Sequence, residues 1–171
     1  TPQLRQEVMR FEQYREQFAF LRDNGITTRT DMAAFTARTE ETLANLMKQR
    51  TVLNVRRKRR RALYTALADA EALAPVKELY EAGLSGMETE FAQYMDAVAA
   101  LEQCGVPREG LIQEKAELYD RLAELNRQIR AERRKLALCR KTQNSLPRME
   151  QEIDKAEARE SEVRTNEHRR R

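Results

Sequence analysis

Glycine and proline, the residues that break helices, occur only nine times in this chain of 171 residues (five Gly, four Pro). None falls between Gly25 and Pro75, and none between Gly110 and Pro147. Strands need turn chemistry at much shorter intervals than that. The spacing therefore predicts an all-α protein whose helix ends fall where Gly and Pro fall.

A first helix is expected over about Pro2 to Asp23, opened near Pro2 and stopped by Asn24-Gly25. Leu4, Val8, Phe11, Phe18 and Leu21, with Tyr14 alongside, recur at helical spacing and predict one apolar stripe. Thr28-Arg29-Thr30-Asp31 has N-cap chemistry, with Thr28 or Thr30 as the cap. The helix it opens would run to about Leu73, about 60 Å at ~1.5 Å per residue. A helix that long needs a partner along its length. Two shorter helices follow, one from Pro75 to Gly83, the next opened by Ser85-Gly86-Met87-Glu88 read as a capping box and ended by Gly105. The second would turn Met87, Phe91, Tyr94, Val98 and Leu101 inward.

From Pro107 a last long helix carries Leu111, Leu118, Leu122, Leu125, Ile129, Leu136 and Cys139 in alternating three- and four-residue steps, a heptad seam broken by Lys115 and Glu132. The short pair lets the two long helices return antiparallel, with Leu43, Leu46 and Leu53 against that seam. The expected architecture is an elongated, antiparallel, coiled-coil-like helical hairpin with two short connecting helices and an N-terminal helix. Its domain would span residues 1–146. Residues 147–171 would form a weakly helical basic tail, supported by Met149, Ile153 and Val163 and frayed from Thr165 onward.

Catalytic chemistry finds little to work with. The single histidine, His168, lies in the expected tail, whereas metal sites and nucleophile–base pairs draw heavily on His. Cys104 and Cys139 form no ligand cluster and sit at apolar-periodic positions, so free, buried thiols of a reducing cytoplasm are expected. No glycine-rich phosphate loop is present, and carboxylates on amphipathic helices form solvated faces. No catalytic residue, metal or cofactor is expected. No window is apolar enough for a membrane-spanning helix, and the N-terminus lacks both the apolar core of a signal peptide and an initiator Met, which suggests a piece of a longer protein.

The positive signal is Arg56-Arg57-Lys58-Arg59-Arg60-Arg61. Six consecutive cations encircle a helix and cannot all face one partner helix. No acidic residue occurs between Glu41 and Asp69, and Lys48 and Arg50 bring that stretch to eight positive charges. A second basic region, Arg127, Arg130, Arg133, Arg134, Lys135, Arg140 and Lys141, is opposed only by Glu132. The net charge is +4, so positive charge is segregated rather than merely abundant, and segregated positive charge attracts polyanions.

The competing reading is neutralisation within the hairpin, where Glu114, Glu117, Asp120 and Glu124 would lie near Arg56 to Arg61. A membrane-surface role is disfavoured because no apolar face is left opposite the cations. Lys48, Arg50, Arg56, Arg57, Lys58, Arg59, Arg60 and Arg61, with Arg133, Arg134 and Lys135, are the expected nucleic-acid contacts. Only Tyr64 lies near the cluster, so no aromatic platform for bases is expected, and contacts to DNA would be to phosphates without sequence preference.

The order of features is similar to the helical C-terminal region of bacterial relaxases, the mobilization nucleases of conjugative and mobilizable elements. The resemblance lies in a Leu-rich helix with a basic stretch, the pair around Tyr80-Glu81-Ala82-Gly83-Leu84-Ser85, and a long helix rich in Glu, Lys and Arg that closes with Lys135-Leu136-Ala137-Leu138-Cys139-Arg140-Lys141. It spans about Phe11 to Ile153. It implies a parent enzyme that nicks one DNA strand at a transfer origin, using a histidine-cluster metal site and a tyrosine nucleophile in an N-terminal domain. No His-x-His occurs here and none of the five tyrosines is assignable as the nucleophile, so no catalytic residue is carried over. The implied part is a cytoplasmic accessory domain that handles DNA or the proteins of the transfer complex. The alternative is a coiled-coil module that docks another protein or pairs with a second copy as a homodimer.

Overall fold

A computed structural model describes residues 2–169. The protein is all-α: α1 (Pro2–Asp23), α2 (Arg29–Ala72), α3 (Ala74–Glu81), α4 (Glu88–Gln103) and α5 (Arg108–Arg169). The chain divides into two compact units, one made of Thr1–Ala44 with Arg130–Arg171, the other of Asn45–Ile129.

In the first unit, the turn between α1 and α2 is built into the core. Gly25 adopts φ +65°, which lets the Ile26 N–H reach back to the Leu21 carbonyl at 2.9 Å. That places Ile26 in a buried cluster with Phe20, Met32 and Cys139, flanked by Leu21, Phe35 and Leu138. Phe20 and Phe35 meet edge to face, with ring centroids 5.6 Å apart.

Thr28 is the cap. Its Oγ1 accepts the Asp31 N–H at 3.0 Å, and Asp31 Oδ2 accepts from the Thr27 hydroxyl (2.9 Å) and from the N–H groups of Thr27 and Thr28. The Thr27 hydroxyl, first among these donors, holds the Asp31 carboxyl below the usual carboxylate range. α1 packs beside α5, where Lys141 meets Glu16 at 3.4 Å and Gln17 donates to Ser145 Oγ at 3.3 Å.

Most of the apolar stripe expected of α1 is not a core face; of its members only Leu21, half-buried, packs against the core cluster. Leu4, Val8, Phe11 and Phe18 are all more than half exposed, whereas Gln17 and Phe20 are buried. Periodicity located an apolar face correctly but could not say that the opposite face is the one in contact. In α5, Pro147 lies inside the helix, which continues to Arg169. The segment expected to fray from Thr165 is helical through Arg169, and its last two residues lie outside the described range. From Glu150 to Arg169 every described side chain is exposed.

In the second unit, Ala66, Leu67 and Ala70 of α2, Ala97 and Leu101 of α4, and Leu111 of α5 form one buried cluster. The alanines let α4 approach α2 closely. Tyr80 of α3 stacks on Phe91 of α4 at 4.1 Å between centroids. Tyr64, Leu118 and Leu122, flanked by Leu53, form a second cluster. Here α2 and α5 run antiparallel: Gln49 meets Arg121 at 3.0 Å, whereas Tyr64 meets Glu114 at 2.9 Å. Ser85 does not cap α4. Met87 holds the N-cap position without a side-chain bond, and Glu88 instead accepts the Gly86 N–H at 3.2 Å. The capping box fails because its hydroxyl lies two residues too early.

Every residue of the expected seam, from Leu111 through Cys139, is buried. Cys139 and Cys104 are both free, Cys139 buried and Cys104 half-buried, its Sγ 3.0 Å from the Leu101 carbonyl.

Candidate nucleic-acid interface

α2 carries six cations in a row, and the pitch of the helix sorts them by direction. Arg56 and Arg60 turn toward α5, where both reach Glu114, at 3.9 and 3.1 Å. Glu114 is the only one of the four expected carboxylates to pair with the cluster; Glu117 accepts instead from Gln113, and Glu124 from Gln128 and Arg127. Arg57, Lys58, Arg59 and Arg61 are exposed and make no ion pair among the described residues. Internal neutralisation is thus confined to one face.

Three of the free cations share a groove. Arg57, Lys58 and Arg61, with Asn54, Tyr64, Thr65 and Ala68, line one wall of a depression of about 720 Å³. These α2 positions repeat at three- and four-residue steps, the spacing that stacks side chains on one helix face. The opposite wall belongs to α5 and supplies Lys115 and Tyr119. No lining residue is acidic. Four cations in a concave surface focus positive potential on whatever enters it. Asn54, Thr65 and Tyr119 add neutral donors of the kind that bind phosphate oxygens.

The groove floor is fixed by Tyr64, only 5% exposed. Its hydroxyl donates to Glu114 Oε1 at 2.9 Å, and the Lys115 ammonium sits 5.9 Å from its ring centroid. Burial, followed by the bond to the Glu114 carboxylate and that group's charge, pushes the phenol above its ordinary pKa. Because the folded-state value is raised, this contribution to stability is complete below about pH 10 and is lost as pH rises from there. Tyr64→Phe is expected to lower stability by about 1 kcal/mol, since Glu114 keeps Arg60. It should also flatten the loss of stability above pH 10. Denaturant unfolding of both proteins between pH 7 and 11 measures this, and parallel pH profiles would exclude the assignment.

The other expected contacts are distributed differently. Arg59 shares a separate face with Thr51, Val52, Val55 and Arg56. Lys48 is exposed, whereas Arg50 is half-buried and donates to Asn126 Oδ1 at 3.4 Å. In the other unit, Arg133 and Arg134 are exposed and Lys135 pairs with Glu132 at 2.8 Å.

Lys115 and Tyr119 were not among the expected contacts. In the sequence pattern Lys115 only breaks the seam, and Tyr119, 46% exposed, places a second aromatic beside a cluster whose sequence neighbourhood holds only Tyr64. Their four-residue spacing on α5 puts them on one face, but only the pairing of α2 with α5 could aim that face at Arg57 and Arg61.

Among the described residues no group of three or more His, Cys, Asp or Glu is arranged to hold a metal, and no helix is long and apolar enough to cross a membrane. Comparison with protein-family models, with curated proteins and with solved structures gives no match.

Proposed function

We propose that this protein is a non-catalytic helical module that binds DNA through its phosphate backbone, serving as an accessory domain of a mobilization relaxase. The observation that carries the binding reading is the groove in which Arg57, Lys58, Arg61 and Lys115 converge without a single carboxylate. Arg57 and Arg61 are four residues apart, about 6 Å along the helix axis. Phosphates of one strand advance about 3.4 Å per nucleotide along the duplex axis, so a two-nucleotide step is close to the spacing of the two residues, and each guanidinium group can meet its own phosphate. Arg offers paired donors to each phosphate, and the lysines add point charge. Asn54 is the one lining side chain with a donor and acceptor pair for a base edge, against four cations suited to phosphate oxygens, so binding is expected to be largely indifferent to sequence. The relaxase context rests on the sequence resemblance alone.

The salt dependence of binding tests this reading. Four phosphate contacts predict a slope of log K against log [salt] of about −3.6 for duplex DNA and about −2.8 for a single strand. Fluorescence anisotropy with labelled oligonucleotides of two unrelated sequences measures it. Slopes near zero, or affinities differing strongly between the two sequences, would remove backbone binding as the explanation.

A further inference from the structure

We infer that the outer face of α1 is a homodimer interface, on which a second copy of this chain docks its own α1 antiparallel about a two-fold axis at Phe11. At about 100° per residue, Leu4, Val8, Phe11 and Phe18 fall within an ~80° arc. Gln17 and Phe20, which pack inside the first unit, lie on the opposite side of the same helix. α1 thus has two working faces, and only one is occupied among the described residues.

Two observations say that the other face is covered. From Pro2 to Gln13 every side chain is exposed, yet the segment is helical. A helix of that length has marginal stability without packing. The apolar surface is also large. A Phe presents on the order of 200 Å², so Phe11 at 69% and Phe18 at 64% exposure leave about 250 Å² in water. Leu4 and Val8, at 60% and 51%, extend the patch into the range that marks contact sites on soluble proteins. A standard interface of about 800 Å² per partner is just over half apolar, and this stripe supplies a large part of that.

Charge identifies the occupant. α1 carries Arg5, Arg10, Arg15 and Arg22 against Glu7, Glu12, Glu16 and Asp23, a net charge of zero. Its ion pairs among the described residues are Glu16 with Lys141 and Arg22 with Asp23. Glu7, Glu12, Arg5, Arg10 and Arg15 are left for a surface of equally mixed charge, which a polyanion is not and which α1 itself is. Centred on Phe11, an antiparallel pair sets Leu4 opposite Phe18, Val8 opposite Tyr14, and Glu7 opposite Arg15, each twice over, as a two-fold interface requires. Phe11 meets its own copy.

Sedimentation equilibrium of the chain should show a mass of twice 20.0 kDa that dissociates on dilution and persists in high salt, because the seam is apolar. Phe11→Glu should weaken association at least 100-fold, since it sets two carboxylates against each other in the seam, with the helical circular dichroism retained. As a second readout, Phe11→Cys should form an intermolecular disulfide on mild oxidation, whereas Gln13→Cys, on the opposite side of α1, should not. A monomer at about 100 μM, a dimer unaffected by Phe11→Glu, or equal crosslinking from positions 11 and 13 would each overturn the interface.

Discussion

Replacing Arg57 and Arg61 together with Glu is expected to lower DNA affinity about 100-fold at moderate salt and to reduce the salt slope by about two. Each residue is proposed to neutralise one phosphate, and each contributes roughly one unit of slope. Hydrogen bonds to charged groups are worth about 1.5–3 kcal/mol each, and the two new carboxylates repel the strand at the same positions. The fold should tolerate the change, because both side chains are exposed and neither makes an ion pair among the described residues. The control is Lys155→Glu with Arg159→Glu, which alters net charge equally at two exposed positions of α5. If affinity follows net charge alone, both double variants will lose binding alike. If the groove is the site, only the first will. Arg59→Glu should fall between them, since Arg59 lies on a different face of α2 from Arg57 and Arg61. Equal losses in the two double variants would sink the groove.

The contrast among these cations shows where the sequence stops being legible. Six consecutive basic residues are visible as a run, and their encirclement of a helix follows from pitch alone. Which of them are silenced does not follow, because that depends on the register between α2 and α5. One turn of slippage would bring Glu117, rather than Glu114, to Arg60. Tyr64 and Leu118 pack in one cluster and set that register. Lys115 and Tyr119 were hidden for the same reason: a polar residue inside an apolar seam reads as an interruption until the partner helix gives it a direction.

Helix ends were the more legible part. Where Gly25 and Pro75 stand, local chemistry decides, and α1 and α2 end within a residue or two of the expected bounds. The capping box at Ser85 misled because its four-residue pattern carries no information on which residue becomes the N-cap. Pro147 misled differently. A proline ends a helix by removing one N–H and crowding the preceding turn, but only the lost bond and the clash oppose continuation, and α5 accommodates both. Burial was harder to read than periodicity. Thr142 is fully buried, three residues beyond Cys139 on the same seam, and Gln17 is buried while Phe18 beside it is not. Contact geometry, and not hydropathy, chose between neighbours.

That choice between neighbours has its sharpest consequence at the start of α5. Leu111→Ala is expected to cost about 3–4 kcal/mol of unfolding free energy, and Ile112→Ala less than about 0.5 kcal/mol. The two residues are adjacent, similar in size and equally apolar, but Leu111 is fully buried whereas Ile112 is 51% exposed. Leu111 packs where Ala66, Leu67 and Ala70 of α2 meet Ala97 and Leu101 of α4. Truncating it removes contacts to both helices and leaves a cavity that short alanine side chains cannot collapse to fill. At Ile112 the loss of partly exposed surface is offset by the higher helix propensity of Ala. For a chain of this size the first change corresponds to a fall of about 10 °C in melting temperature, and the second to almost none. Thermal and urea unfolding of the two variants decides the matter. Comparable losses would mean that the junction of α2, α4 and α5 is not the stabilising centre of the second unit.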